Sequence, residues 1–411
     1  MRKAISLFLL AITSQLVSAQ TTLDVSVKNP DKNPRQAQPV VIQLQRYGDV
    51  RSAMVTSDGT EVPCQLDDTD GDGRYDELCF LTDLQGKAKR QFRVELLSDG
   101  EPRQYEPKVY VDMMLTNSKI KSANKQDLYI SSLTVDNGTN PYRMLHHHGP
   151  AFENELVAYR IYFDHRQTVD IYGKYRQGLE LRQTQFYPDK EQKAAGFGDD
   201  ILWVGNTFGL GTLRGWDGEK PLMLEDVNHR TLRILSRGPL RTVVEVIDEG
   251  WKPNKASADN ERITMHTLYI LYAGRRDAQV NIRFDRPAVG RQFATGVINV
   301  KNSVEFSDHQ GLRGCWGTDW PVSAKDSVGH KRETVGLGIC IPRHHVAEEL
   351  PANNDNYPFV VTTANERLNY HITFGSDNEA FGYHSSEQWF DYLKAWKREL
   401  ESPVIVTQTK R

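Results

Sequence analysis

A two-residue alternation of apolar and polar side chains runs through the first part of this chain. It is present in "TTLDVSVKNP", "QPVVIQLQRYG", "ELCFLTDL" and "KRQFRVELLSD". Successive side chains of a strand point to opposite faces, so this period is typical of strands with one buried face. Helical periodicity is missing from the same region. The pattern therefore predicts a small antiparallel β-sandwich over residues 20–112.

Longer strands, richer in aromatic residues, follow in the second part of the chain. Examples are "LVAYRIYF", "ITMHTLYILYAG", "AQVNIRFDRP" and "LNYHITFG", and turn residues separate them at fairly regular intervals. So many long strands over residues 146–411 predict one large antiparallel super-sandwich and, with the first domain, an all-β protein. The polar segment 113–145 is interpreted as a linker. With 411 residues, the chain is long enough for two such domains.

Only the end of the chain shows a helical pattern. The segment "SSEQWFDYLKAWKREL" opens with Ser385 and Gln388, which form a capping pair. Large apolar residues then recur at three- and four-residue spacing: Trp389, Leu393, Trp396 and Leu400. This spacing predicts a C-terminal helix that packs its tryptophan-bearing stripe against the sandwich.

The N-terminus, "MRKAISLFLLAITSQLVSAQ", has the pattern of a secretory signal. Two cations precede an apolar core, and small residues lead up to Ala19. We expect a signal peptide over residues 1–19, cleavage near Ala19, and a periplasmic or secreted protein. No later segment approaches the ~20 apolar residues of a membrane span. The net charge of −3 and the lack of a basic run argue against nucleic acid, so we expect neither a membrane nor a nucleic-acid partner.

Export makes disulfides possible, and the four cysteines fall into two local pairs. Cys64 and Cys79 flank an acidic turn, so they could face each other across a hairpin. Nothing in the sequence fixes the geometry of the second pair, Cys315 and Cys340. The alternative is that all four are small buried residues in strands, and the pairing stays open.

The acidic turn itself, "DDTDGDGRYDE", favours a hard cation. Its D-x-D-x-D-G core delivers three carboxylates from one tight turn, and calcium prefers six to eight oxygen ligands. The predicted ligands are Asp68, Asp70, Asp72, Asp76 and Glu77. Cys79 stands where an EF-hand needs glutamate and the flanks are strand-like, so this would be a structural calcium hairpin. The alternative is a solvated acidic turn with glycines for its backbone angles.

Polar residues lie among the apolar ones in "LVAYRIYFDHRQTVDIYGK". Burial of the alternate apolar residues sets the strand register, because a one-residue slip would place Asp170 in the core. The favoured register places Tyr162 opposite Asp170. It also places Arg160 opposite Tyr172, with Lys174 on the same face. Rings, cations and proton-transfer groups together favour a sugar site. The alternative is a structural polar network between packed sheets.

Histidines precede these strands in "HHHGPAFEN". On a strand only the first and third of them share a face, which disfavours a metal cluster. We predict that His148 acts as an acid or base and that Glu153 lies at the rim of the site. Neither a G-x-S-x-G elbow nor a cysteine in a catalytic context is present, so covalent serine or cysteine chemistry is disfavoured.

A glycine-rich stretch, "GFGDDILWVGNTFGLGTLRGWDG", lacks the lysine-serine ending of a phosphate loop. We therefore expect neither a nucleotide nor a redox cofactor. Its aromatic residues favour a loop for sugar stacking, or else a wide turn that covers core. The predicted stacking platforms of the chain are Trp203, Trp216, Trp316 and Trp320.

Several of these motifs resemble a known family. "HGPAFENELVAYRIYFDHRQTVDIYGK", "GDDILWVGNTFGLG", "FATGVINV" and "LDDTDGDGRYDELCFL" are similar to a Bacteroidetes family of secreted proteins known as a domain of unknown function (DUF 4861). The resemblance spans essentially the whole chain after the signal. It implies a galactose-mutarotase-like sandwich and an association with polysaccharide-utilisation genes. The family brings no established catalytic residues.

The leading hypothesis is an enzyme that acts on a glycan containing uronic acid. In β-elimination, Arg160 or Lys174 would neutralise the substrate carboxylate, while His148 or Tyr162 would move the proton.

Hydrolysis of the same glycan would instead use paired carboxylates, with Glu153 and Asp170 as candidates. A non-catalytic glycan-binding protein is the alternative from another class. An aldose epimerase fits the implied fold, but the sequence does not place the histidine and glutamate that it needs. Tyr172 would contribute to sugar binding in each case.

Overall fold

The computed structural model describes residues 20–253, 261–288 and 290–411. The expected signal peptide, residues 1–19, lies outside the described residues.

Strands dominate the described chain. In chain order they are β1 (Gln20–Lys28), β2 (Arg35–Gln43), β3 (Ser52–Ser57), β4 (Thr60–Val62), β5 (Cys64–Asp67), β6 (Glu77–Leu84), β7 (Lys89–Leu97), β8 (Val109–Asp112), β9 (Met114–Leu115), β10 (Leu128–Tyr129), β11 (Ser132–Asp136), β12 (Ala151–Asn154), β13 (Ala158–Ile161), β14 (Val169–Gly173), β15 (Asp199–Asp200), β16 (Arg214–Trp216), β17 (Pro221–Leu222), β18 (His229–Arg237), β19 (Arg241–Trp251), β20 (Ile263–Tyr272), β21 (Asp277–Phe284), β22 (Gln292–Ile298), β23 (Val304–Ser307), β24 (Leu312–Asp319), β25 (Glu333–Cys340), β26 (Val346–Glu349), β27 (Asn356–Thr362), β28 (Arg367–Ser376) and β29 (Ile405–Lys410).

The helices are few and mostly short. They are α1 (Leu181–Thr184), α2 (Lys190–Ala194) and α3 (Ser386–Glu401), with single 3₁₀ turns at Gln45–Tyr47, Pro141–Arg143, His146–His148, Ala324–Asp326 and Arg343–His345. The predicted all-β class with a C-terminal helix is confirmed. No helix among the described residues has the length and apolar character needed to cross a membrane.

The first part of the chain forms a small antiparallel sandwich. Its sheets have the strand orders β29-β1-β7-β3-β4 and β2-β6-β5. Alternate residues such as Leu23, Val25 and Val27 point into a core of their own. The last strand, β29, returns to this sandwich and pairs with β1, where Val27 lies opposite Val406. Residues 405–410 therefore lie apart from the large domain in which the sequence analysis placed them.

The rest of the chain surrounds one large core shared by three sheets. The largest has nine antiparallel strands in the order β11-β18-β19-β20-β21-β28-β25-β24-β23. Two five-stranded sheets, β15-β14-β13-β12-β8 and β17-β16-β22-β27-β26, contribute to the same core. Two of these strands differ from the predicted boundaries, since β8 lies in the segment assigned to the small sandwich and β11 in the linker. Val111 of β8 is buried in the large core with Phe152, which explains the membership of β8.

Helix α3 packs on the nine-stranded sheet as its spacing predicts. The Ser385 side chain accepts a hydrogen bond from the backbone N–H of Gln388, which caps the helix. Trp389 lies over Gly336, where an added Cβ would stand 2.6 Å from the indole ring. The glycine therefore leaves room for the tryptophan on the sheet surface.

The cysteines do not face each other in the hairpin. Cys64 lies opposite Phe80 on the neighbouring strand, whereas Cys79 lies opposite Gln65. The two thiols are thus offset by one residue and point to opposite faces. Burial raises the pKa of the Cys79 thiol to about 12. Each of the four cysteines is free and buried: Cys64, Cys79, Cys315 and Cys340.

The hairpin of β5 and β6 is joined to the nine-stranded sheet by a buried arginine. The guanidinium of Arg241 contacts Asp67 at 2.7 Å and Glu77 at 2.6 Å. Gln65 adds hydrogen bonds to the backbone of Arg241. These bonds fix the small sandwich against the large part of the molecule.

Candidate functional site

One face of the five-stranded sheet β15-β14-β13-β12-β8 carries polar residues in two cross-strand rows. In the first row, Arg160 lies opposite Ala151 on one side and Asp170 on the other. In the second, Tyr172 lies between Ala158 and Asp200. The opposite face points into the large core through Val111, Phe152, Tyr159, Ile161 and Ile171. The polar set thus shares one face, as the hydrophobic pattern predicts.

The register within this face differs from the prediction by two residues. Arg160, not Tyr162, lies directly opposite Asp170. A shift of two keeps every side chain on its face, so burial alone does not distinguish the two registers. The turn between β13 and β14 fixes the register. In this turn, the N–H of Tyr162 donates to the carbonyl of Thr168 at 3.1 Å.

Arg160 is the centre of a buried cluster. Its Nη2 contacts the carboxylate of Asp170, the hydroxyl of Tyr162 at 3.1 Å and Asp200 Oδ2 at 3.0 Å. Its Nη1 donates to the hydroxyl of Tyr187 at 3.1 Å. The arginine side chain is 2% exposed, whereas that of Asp200 is 24% exposed. The cluster is therefore closed at its centre and reaches solvent through Asp200.

The surroundings of Asp200 raise the pKa of its carboxyl group. Burial raises the pKa of Asp200 to about 8, and the carboxylates of Asp170 and Asp199 act in the same direction, against Arg160. One guanidinium faces two carboxylates, so one of them is more stable in its protonated form. The same cluster keeps the hydroxyl of Tyr162 protonated, because burial raises its pKa well above the usual value.

The backbone conformation at His148 differs from the predicted one. The three histidines form a 3₁₀ turn rather than a strand, and His148 has a left-handed φ of 70°. Its ring stacks on Tyr142, with ring centroids 3.7 Å apart, and meets the edge of Tyr162 at 5.8 Å. The Nδ1 donates to the carbonyl of Tyr142 at 2.9 Å, which leaves the lone pair on Nε2. Burial lowers the pKa of His148 to about 4, so the ring is a neutral base.

Glu153 and Lys174 hold helix α1 against the sheet. Both are fully buried, and Lys174 Nζ lies 2.5 Å from Glu153 Oε2. Glu153 also accepts hydrogen bonds from the backbone N–H groups of Glu180 and Leu181 at the start of α1. Tyr172 is buried too and donates to Glu180 at 3.0 Å. The predicted rim position of Glu153 is thus corrected: its carboxylate caps a helix inside the molecule.

The four predicted tryptophan platforms do not form a common surface. Trp203 is 47% exposed, whereas Trp216 is buried. Trp316 packs beside Trp389 of α3, on the nine-stranded sheet. Trp320 is half-buried after β24. Of the four, Trp203 keeps the exposure that a stacking platform needs.

In the acidic turn, three of the five predicted calcium ligands converge. Asp68, Asp70 and Asp76 each bring a carboxylate oxygen within 4.8 Å of the others. Asp72 instead accepts from the backbone N–H of Arg74. Glu77 is turned towards Arg241 and Gln43. The three converging carboxylates fit a hard cation in donor type, and further oxygens would have to complete its coordination.

Four residues of the cluster were missed by the sequence analysis: Tyr142, Arg166, Tyr187 and Asp200. The guanidinium of Arg166 lies over the Tyr142 ring at 4.6 Å and pairs with Asp164. Asp200 stands in the glycine-rich stretch, where the adjacent acids of "GDDILW" were the available signal. The other residues lie in turns without periodicity, so no pattern marked them.

The fold defines an antiparallel β-sandwich protein with a polar sheet face beneath a short helical cover. The chain belongs to the family described as a domain of unknown function (DUF4861), which it matches over residues 27–406. No curated protein matches it.

Two solved structures are similar to this chain over part of their own length. An α-mannosidase from Enterococcus faecalis V583 has a TM-score of 0.47 at 10% identity, with 94% of this chain and 46% of that chain covered. A glycosyl hydrolase family 38 protein from Enterococcus faecalis has a TM-score of 0.48 at 10% identity, with 95% and 47% covered. This chain thus spans about half the length of both proteins.

Proposed function

We propose that this protein is a carbohydrate-active enzyme that cleaves a glycan by proton transfer beside Arg160. The supporting observation is Asp200, a partly exposed carboxyl group with a raised pKa that accepts a hydrogen bond from a buried guanidinium. A general acid needs a pKa near the working pH and access to the substrate, and Asp200 has both. The half-buried ring of Tyr187, which shares Arg160 with Asp200, and that of Tyr142, which stacks on His148, offer apolar surface for a sugar.

The proposed roles follow from the protonation states. Asp200 donates its proton to the leaving glycosidic oxygen, and Arg160 stabilises the carboxylate that remains. His148 accepts a proton through Nε2, because its Nδ1 is committed to a backbone carbonyl. Tyr162 and Asp170 act as positioning residues that hold Arg160 in place.

Elimination suits this set better than hydrolysis by two carboxylates. Glu153 and Asp170, the pair considered for hydrolysis, are both fully buried and bonded inside the molecule. In elimination, His148 takes the C5 proton, the C–H electron pair forms the C4–C5 double bond, and the C4–O bond breaks. The leaving oxygen then takes the proton of Asp200. This chemistry needs a uronic acid, whose carboxylate acidifies the C5 proton.

The cation that faces the substrate carboxylate would be Arg166 rather than Arg160 or Lys174. Lys174 is fully buried, and Arg160 already contacts two carboxylates. Arg166 is 15% exposed and lies over the same Tyr142 ring that stacks on His148. Arg166 also pairs with Asp164, but it has one carboxylate partner where Arg160 has two, and it is more exposed than Arg160.

The test is product formation from oligosaccharides that contain uronic acid. Elimination yields an unsaturated product that absorbs in the ultraviolet, whereas hydrolysis yields new reducing ends without this band. His148→Gln is expected to lower the rate by about 100-fold or more. His165→Gln serves as the matched control, and we expect it to retain the wild-type rate. New reducing ends without the ultraviolet band would show that the enzyme cleaves by hydrolysis and not by elimination.

A non-catalytic glycan-binding protein is the second candidate, and the exposure of Trp203 favours it. An aromatic ring in solvent is suited to stacking on a sugar. In that case the wild type binds oligosaccharides without forming product. Trp203→Ala then abolishes binding, while Asp200→Asn leaves it unchanged.

A further inference from the structure

A second polar groove lies at the other edge of the same sheet. It is bounded by β8, by the chain around Tyr129, by Arg182 of α1 and by Arg237 at the end of β18, and its volume is about 520 Å³. Tyr110 and Arg160 stand on the same face, two strands apart in the order β8-β12-β13. The groove is therefore on the order of 10 Å from the Arg160 cluster along the sheet.

Two arginines in the groove are without a carboxylate partner among the described residues. Arg182 is exposed, and its guanidinium lies over the Tyr110 ring at 5.2 Å. Arg237 is also exposed and donates to the carbonyl of Val111 at 3.2 Å and to Ser131 Oγ at 3.0 Å. A guanidinium has five N–H donors, so both keep donors for an anion. Both arginines line the same concave surface.

Tyrosine rings line the groove beside these cations. Tyr129 is 52% exposed, and Tyr110 is half-buried beneath Arg182. Rings of this kind stack on the apolar face of a sugar, while arginines recognise carboxylates and sulfates through paired N–H donors.

Asp112 contributes to the groove lining, but its carboxylate oxygens contact neighbouring side chains. Asp112 is buried, and its Oδ2 accepts from the hydroxyl of Tyr110 at 2.9 Å. Its Oδ1 lies 3.3 Å from His147 Nε2, beneath the groove surface. The exposed charge of the groove is therefore positive.

We propose that this groove binds an anionic sugar residue, one that carries a carboxylate or a sulfate ester. The inference rests on the proposed function and adds the substrate class: a charged glycan held at two places on one sheet face. Arg182 and Arg237 bind the anion, and the two tyrosines contact the sugar ring. The Arg160 cluster would then act on a bond elsewhere in the same glycan.

Calorimetric titration of the full chain tests this proposal with three probes: an oligogalacturonate, a heparin-derived sulfated oligosaccharide and neutral maltotriose. At least one anionic probe is expected to bind, and its affinity should fall at high salt. Maltotriose should bind at least tenfold more weakly than that probe. Which anionic probe binds distinguishes carboxylate from sulfate recognition. Arg182→Gln should weaken this binding by about tenfold, since a charge-assisted pair is lost. Arg367→Gln, an exposed arginine on β28, is the matched control and should bind as the wild type does.

Arg237 also bonds to the backbone, so Arg237→Gln is compared with Arg237→Lys, which keeps the charge. Weaker binding in the glutamine variant alone supports the proposal, and equal loss in both contradicts it. Binding that neither Arg182→Gln nor salt changes, or no binding of any anionic probe, also overturns it. Failure of the proposed function looks different: anionic probes bind in an arginine-dependent way, yet the wild type forms no product from them.

Discussion

Arg160 and Asp170 lie directly opposite each other on β13 and β14, and the guanidinium nitrogen that contacts Asp170 also contacts Asp200. This shared nitrogen gives the two carboxylates different roles. Asp170 is sealed inside the sheet and balances the arginine charge. Asp200 reaches solvent, and its pKa is raised above the ordinary value of an aspartate. The proposed chemistry depends on this difference.

Activity is expected to follow a bell-shaped pH profile. It should rise with pH as His148 loses its proton near pH 4 and fall as Asp200 loses its proton near pH 8. Initial rates across this range test the prediction. Asp199→Asn removes a charge that helps to raise the pKa of Asp200, so it should move the falling limb to lower pH without abolishing it, whereas Asp200→Asn should abolish it. A rate that stays constant well above pH 8 would contradict the acid role of Asp200.

Stability should respond to the same carboxyl group. The pKa of Asp200 is higher in the folded protein than its ordinary value, so its contribution is fully present below about pH 4. The contribution is lost as pH rises towards 8, because the unfolded chain binds fewer protons there. Urea unfolding at several pH values should therefore show a steeper decline for the wild type than for Asp200→Asn. Parallel curves would show that Asp200 titrates normally.

Glu153 and Lys174 are expected to support the fold rather than the reaction. Lys174→Met leaves a buried carboxylate without its cation and should lower the free energy of unfolding by about 3–5 kcal/mol. The double variant Glu153→Gln, Lys174→Met should be less destabilised than the sum of the two single variants. Unfolding in urea measures both effects. A Lys174→Met variant that keeps full stability but loses activity would contradict this and would indicate a role for the pair in the reaction.

The acidic turn is proposed to bind one calcium ion through Asp68, Asp70 and Asp76. The ion would stabilise the hairpin whose Asp67 and Glu77 hold Arg241. A chelator should then lower the melting temperature of the wild type by several degrees, as expected for loss of a bound ligand. Asp70→Asn should melt at the same temperature with and without chelator. If chelator does not change the melting temperature of the wild type, the segment is a solvated acidic turn that binds no calcium.

Export is likewise proposed from the N-terminal signal. Mass spectrometry of the exported protein should show an N-terminus at or near Gln20, since the small residues before it suit signal peptidase. An intact Met1 in exported material would contradict the signal-peptide interpretation.

The sequence predicted the sheet faces well because burial enforces the two-residue period. Arg160, Tyr162 and Asp170 share a face for this reason, and the helical spacing of Trp389 and Leu393 was equally clear. The α3 prediction succeeded because its apolar stripe extends over several turns.

The burial of the side chains on the polar face could not be predicted in the same way. It is covered by α1, a helix of four residues whose segment has no periodic pattern. His148 likewise has a left-handed φ of 70°, which the strand-like period of the sequence does not indicate. Short-range patterns carry little information about either feature.

The proposed mechanism requires Asp200 to be a carboxylic acid at neutral pH, and the titration of this group tests the requirement most directly. Carbon-13 spectra of protein labelled at aspartate carboxyl groups should contain one resonance that titrates near pH 8, and Asp200→Asn should remove it. Asp199→Asn should keep that resonance but lower the pH at which it titrates, because the charge of Asp199 helps to raise the pKa of Asp200. If the resonance that Asp200→Asn removes titrates near the ordinary aspartate pKa of about 4, Asp200 is ionised at neutral pH and the proposed mechanism is wrong.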